Sequence, residues 1–274
     1  MKKKNIVFVL SSGRSGTNLL ANALKVSNLK NIYHEFNLLE IQILSTKYDM
    51  GIYSFDKTKS ELKKKYFNHI DSCIDDWIDV SNKLTWIADI LLQKYPDAKF
   101  VELIRNGKSV VSSFYYKLDK EMYTNKGVKA LQAYADGLAS EPPHTKEYWW
   151  SLAKNNKKME YVRGLNRFEL CCHHWKNTHT KINEFKQKLS NNNFFQIKLE
   201  ELVSSRDAAR RLINFIGLKI DIDSFCEIIK KPINVYKPVQ YILDDNQIKC
   251  FEHICGSTMS NFDYDLKKNP KIKY

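Results

Sequence analysis

Acidic residues, glycine, proline and long apolar runs are all scarce in this sequence. Asp and Glu number 31 against 44 Lys and Arg, a formal net charge of +13. That balance favours an anionic partner: a nucleotide, a nucleic acid, an acidic glycan or a membrane surface. Only 6 prolines and 9 glycines are spread over 274 residues, so no Pro/Gly-rich linker or low-complexity tract divides the chain. No apolar stretch approaches the ~18 residues of a membrane-spanning helix. The opening MKKKNIVFVLSSG has the basic-then-apolar order of a secretory signal. Its apolar core runs only from Ile6 to Leu10, however, shorter than the ~7–15 residues such signals use. A buried first strand is the expectation. The six cysteines, at 73, 171, 172, 226, 250 and 255, lack metal-ligand spacing and are expected as reduced thiols of a cytoplasmic protein. The CCHH run at 171–174 lies in a helical pattern, where consecutive side chains point ~100° apart, so a metal cluster is not expected there.

What is present is ordinary globular usage, 43% apolar and 27% charged residues, over a length that suits one α/β domain with an inserted lobe. The basic clusters MKKK, KTKSELKKK, KNNKK and KKNPKIKY are dispersed and read as solvated surface. A nucleic-acid-binding module would instead gather them on one face with aromatics between them, so no nucleic-acid partner is expected.

Strands are expected at 5–10, 31–35, 98–104 and 194–199. Helical patterns lie between them, including LTWIADILLQKYPD, ended by Pro96, and a long helix over roughly 166–189. Strands alternating with helices imply a parallel sheet covered on both faces, a three-layer α/β/α sandwich. In such sheets ligands bind at the carboxyl ends of the strands. There the first strand delivers SSGRSGT, the second His34 and Glu35, and the third Arg105 followed by NGKSVVSSF. Three strands thus bring polar groups to one edge.

The SSGRSGT turn has the physics of an anion loop. Gly13 and Gly16 permit a tight turn and close ligand approach. The amides of Ser15, Gly16, Thr17 and Asn18 open a helix and point at an anion. Arg14 adds a charged fork. The loop lacks the lysine of G-x-x-x-x-G-K-[ST], and its glycine spacing is too short for that motif. A small-molecule kinase using ATP and magnesium is therefore the rival reading, short of its lysine and of a magnesium-binding acid. At the third strand exit Asn106 can cap the next helix. Ser109 and Ser113 share a face of that helix, and Arg105 with Ser113 could clamp a second phosphate.

These residues resemble the sulfotransferase superfamily that uses 3'-phosphoadenosine 5'-phosphosulfate (PAPS) and releases PAP. SSGRSGTNLL resembles its 5'-phosphosulfate loop, with arginine where other members carry lysine. KYPDAKFVELIRNGKSVVSSF resembles its 3'-phosphate strand and helix, with Arg105 and Ser113 at the family's eight-residue spacing. FFQIKLEELVSSRDAARRLINFIGL resembles the later Y-E-D-L block, and FEHICGSTMSNFDYDL a frequent bacterial ending. Gly107 stands where the family often has proline, and Leu199 where it has the Y-E-D-L aromatic. The C-terminal R-K-G motif is absent, with Lys237 the nearest substitute for its charge. The resemblance implies a P-loop NTPase-like sandwich with a mainly helical inserted lobe, a single sulfotransferase domain over 1–274, and no metal requirement. It also implies sulfuryl transfer to a hydroxyl or amine of a carbohydrate, glycolipid or small molecule. Arg14 would stabilise charge on the leaving oxygen. Glu35 would take the acceptor proton, with His34 next in line and His144 behind it. Lys83 resembles the lysine of a K-T-P segment. Because adjacent strand residues point to opposite faces, only one of His34 and Glu35 is expected to face the cleft. Residues 120–165, with Tyr123, Tyr134, Tyr148, Trp149, Trp150 and Tyr161, read as an acceptor lobe or lid. The acceptor itself and the oligomeric state are not encoded in any motif found.

Overall fold

The computed structural model describes residues 4–119, 122–135, 138–139, 164–231 and 242–267. Five strands form one parallel sheet. They are β1 (Ile6–Leu10), β2 (Ile32–His34), β3 (Trp77–Val80), β4 (Lys99–Ile104) and β5 (Phe194–Lys198), in spatial order β2-β3-β1-β4-β5. β3 was not expected. It is only 4 residues long, WIDV, follows an acidic stretch and carries Asp79 at its centre, so it reads as loop. It pairs with β1 and β2 on its two edges, and all four of its residues are buried.

β1 shows why the sheet has helices on both faces. Val7 and Val9 pack with Leu20, Ala21 and Leu24 of α1 (Thr17–Leu24) and with Leu212, Ile213 and Ile216 of the helix Arg206–Ile216. Phe8 and Leu10 point the other way, to Ile41, Tyr66, Leu91 and Ile182. These four β1 side chains are fully buried, at about 1.5–3 kcal/mol each as an upper estimate.

The order places β1 beside β4, although their following helices lie on opposite faces. The helix after β4, Gly107–Ser112, joins a third cluster in which Val110, Val111 and Phe114 meet Trp175 and Phe251. Trp175 sits on the long helix Arg167–Lys186, opened by a reciprocal capping box between Asn166 and Glu169. Phe251 sits on the helix Asp245–Asn261. A crevice opens at such a strand-order switch point, here between the exits of β1 and β4.

Gly107 is explained by this packing. A Cβ there would lie 2.9 Å from Phe251 Cζ and 3.0 Å from Trp175 Cε2, so the two helices leave room for no side chain.

Candidate active site

The loop after β1 turns on positive φ angles at Gly13 (79°), Arg14 (52°) and Gly16 (88°). A Cβ on Gly16 would approach Leu199 Cδ1 and Cδ2 to 2.9 Å. Leu199, directly after β5, thus closes the loop. Inside the loop the Ser12 and Ser15 hydroxyls lie 3.0 Å apart, and Ser15 Oγ donates to Gly13 O at 3.0 Å. Thr17, Asn18 and Leu19 form the first turn of α1, whose amides lack intrahelical acceptors; Leu20 N is the first to close, on Gly16 O at 2.9 Å. Asn18 Oδ1 accepts from Asn22 Nδ2 at 2.9 Å.

The two expected anion corners are joined. Arg14 Nε donates to Ser113 Oγ at 2.9 Å, and Arg105 Nη1 donates to Arg14 O at 2.8 Å. Asn106 Oδ1 accepts from Ser109 N at 3.3 Å, as a cap should, and Asn106 N donates to Glu200 Oε1 at 2.9 Å. Ser113 begins a π-helical turn, Ser113–Lys117, a local widening often found at functional sites. Lys117 ends that turn. Burial and the charge of Arg14 both hold its ammonium below the usual lysine range, which places a third cation near the pair. Its motif position gave no hint of this.

His34 and Glu35 depart from strand alternation. β2 ends at His34, and Glu35 takes a left-handed φ of 60°. Both side chains therefore turn to the loop side. His34 Nε2 shares a 3.1 Å hydrogen bond with Thr17 Oγ1, Asn82 Nδ2 donates to Glu35 Oε1 at 2.8 Å, and His34 Nδ1 lies 4.0 Å from Glu35 Oε2. Asn82 also faces the loop, since a Cβ on Gly13 would lie 3.2 Å from its Nδ2. Burial lowers the His34 pKa, with Lys25 acting in the same direction and Glu35 against it, so the ring is neutral at neutral pH. Lys83 is buried next to Asn82, and burial brings its ammonium down to about 7 against the opposing pull of Glu35.

Under Glu35 lies Asp79, fully buried. Tyr66 Oη donates to its Oδ2 at 2.6 Å and Phe36 N to its Oδ1 at 3.3 Å. The carboxyl thus braces the backbone that sets the Glu35 turn. Burial raises its pKa to about 7, the Tyr66 and Phe36 hydrogen bonds work against the rise, and Glu35 adds to it. The folded state therefore holds this proton more tightly than the unfolded chain, whose Asp titrates near ~3.9. Stability from this group is complete below about 4 and is lost as pH rises through about 7, on the order of 4 kcal/mol at most. Asp79→Asn should remove that part of the decline. Chemical unfolding of both proteins at pH 4.5, 6 and 7.5 checks this; parallel profiles would reject it.

His144, Lys237, Tyr148, Trp149, Trp150 and Tyr161 lie outside the described residues, and Tyr134 falls in the helix Asn125–Ala135. Among the described residues no group of three His, Cys, Asp or Glu could hold a metal ion, and no helix is long and apolar enough to cross a membrane.

A parallel sheet with a glycine-turned loop and two linked arginines at its switch point defines an α/β protein built to hold anionic groups. The sulfotransferase-domain family model matches residues 6–201, more than half of the chain, and the chain belongs to that family. It is a sulfotransferase, an enzyme that moves sulfuryl groups. No curated protein sequence matches it significantly. Its fold is shared with the sulfotransferase domain from the curacin biosynthetic pathway, at 16% identity over 97% of this chain and 99% of that one, TM-score 0.52. It is shared with a sulfotransferase from Alicyclobacillus acidocaldarius, at 13% identity over 97% and 98%, TM-score 0.52. A mouse sulfotransferase solved with PAP aligns at 15% identity over 95% of this chain and 86% of that one, TM-score 0.51.

Proposed function

We propose that this sulfotransferase takes its sulfuryl group from PAPS and delivers it to a hydroxyl or amine of a carbohydrate, glycolipid or small-molecule acceptor. The observation that carries the reading is the linked pair of corners: Arg14 bonded to Ser113, and Arg105 bonded to the Arg14 carbonyl. A donor with phosphates at both its 3' and 5' ends matches two cationic corners held at one crevice. PAPS supplies an activated sulfuryl on its 5'-phosphate, and the product PAP retains both phosphates.

The chain's own groups divide the work. The loop amides and Arg14 hold the 5' end and meet charge developing on its bridging oxygen. Arg105 and Ser113 hold the 3' phosphate. Lys83 would offset charge near the transferred group. Glu35, held by Asn82, takes the proton of the attacking acceptor, with neutral His34 beside it as the second candidate. Residues 120–165 would form the lobe that receives the acceptor, within one domain. A cytoplasmic setting fits the six free thiols.

A kinase of this topology needs a magnesium-binding acid at the strand beside β1. The acid of β3, Asp79, instead has both oxygens engaged by Tyr66 and Phe36, which favours the sulfuryl reading. Arg105→Ala should cost about 1.5–3 kcal/mol of PAP affinity, the size of lost charged hydrogen bonds. Calorimetry of PAP on both proteins tests it; an unchanged affinity would put the 3' phosphate elsewhere.

A further inference from the structure

His174 lies in the long helix Arg167–Lys186, within the CCHH run. It is almost fully buried between the Phe114 and Trp86 rings, at centroid distances of 5.2 and 6.2 Å. Both ring nitrogens are engaged. Nε2 lies 3.2 Å from Ser12 O, in the anion loop, and Nδ1 lies 3.0 Å from the Tyr123 hydroxyl. Tyr123 stands at the start of the lobe, buried and with a φ of 54°.

The partners fix the protons. A carbonyl oxygen only accepts, so Nε2 carries a hydrogen and donates to Ser12 O. Burial brings the His174 pKa down to about 3, and the charge of Lys83 acts in the same direction. The ring is neutral, Nδ1 is an acceptor, and the Tyr123 O–H donates to it. The relay runs one way, from lobe to helix to loop.

The Ser12 carbonyl shares its peptide plane with the Gly13 N–H, and in a trans peptide the two point in opposite directions. There are no cis peptides among the described residues. Drawing the Ser12 carbonyl toward His174 therefore aims the Gly13 amide away from the helix, to the other side of the loop. Gly13, at φ 79°, has no side chain to restrain that peptide against flipping, so the restraint comes from outside the loop.

We infer that His174 is a positioning residue: it locks the Ser12–Gly13 peptide so that the Gly13 amide joins the anion-binding set, and it ties the loop to the first residues of the lobe through Tyr123. The inference rests on reading 11–18 as the donor loop.

Two amide variants separate the contacts. Gln carries its terminal amide at the ε position and can donate where Nε2 does; Asn carries its amide at the δ position and can accept only where Nδ1 does. In His174→Asn, amide hydrogen exchange of residues 11–18 in the ligand-free protein should accelerate roughly tenfold, and PAP should bind roughly tenfold more weakly, the scale of one lost hydrogen bond. In His174→Gln both should stay within about threefold of wild type. Equal acceleration in both variants, in step with falling thermal stability, would reduce His174 to a packing residue and overturn the inference, as would wild-type exchange in both. If His174→Asn does not fold, His174→Gln decides alone: retained loop protection supports the lock, and loop exchange rising with global unfolding rejects it. Wild-type protein that fails to bind PAP would overturn the donor reading, while the exchange comparison still decides the role of His174.

Discussion

Glu35→Gln should lower transfer to an alkyl alcohol by roughly 10²–10⁴-fold, the usual size of general-base catalysis, and leave PAP affinity intact. The carboxylate is held at the loop side by Asn82 and by the left-handed turn braced on Asp79. Gln keeps the shape and the hydrogen bond acceptor but cannot take a proton. An alkyl alcohol must lose its proton as it attacks, whereas a nitrophenol is already acidic. The loss should therefore shrink sharply with a nitrophenol acceptor. Steady-state rates for wild type and mutant with both acceptors give the answer. An equal loss with each would mean that Glu35 positions the acceptor rather than deprotonating it. No loss with either would pass the role to His34, whose Nδ1 is 4.0 Å away, or to His144.

Arg14→Ala should reduce turnover by roughly 10²–10³-fold, the effect of removing one donor from a site of developing negative charge. Cofactor binding should weaken far less. In the free protein Arg105 is held by the Arg14 backbone carbonyl, a contact that survives without the Arg14 side chain, as do the loop amides. Sulfuryl transfer moves charge onto the bridging oxygen of the 5'-phosphate, and a fixed guanidinium there acts more strongly on the transition state than on the ground state. Full time courses that separate kcat from KM resolve this. A rise in the cofactor KM with kcat unchanged would assign Arg14 to ground-state binding.

Much of this site was legible in the sequence because it depends on local chain geometry. A strand, a Gly13-Arg14-Ser15-Gly16 turn and an apolar helix are adjacent in sequence, and the turn chemistry is carried by the glycines themselves. The Asn106 cap and the Arg105–Ser113 spacing are equally local. The long helix expected over roughly 166–189 from its apolar pattern runs from Arg167 to Lys186. What escaped depends on tertiary context. β3 is a strand because it pairs with β1 and β2 on its two edges, and its central Asp79 argues against a strand until Tyr66 and Phe36 are seen to satisfy it. Strict alternation misplaced His34 relative to Glu35 because the strand ends one residue earlier and the chain turns left-handed. Asn82, Lys117 and His174 reach the site from three separate segments, and no spacing links them to the loop. Gly107 replaces an expected proline for a reason 144 residues away, the ring of Phe251.

On the proposed function, the crevice between β1 and β4 would hold an adenosine nucleotide phosphorylated at both its 3' and 5' positions. Calorimetric titration of the chain with PAP in EDTA, set against ATP with magnesium, is the test. PAP should bind without metal and more tightly than ATP with magnesium. Tighter binding of ATP with magnesium, or PAP binding that EDTA abolishes, would contradict it.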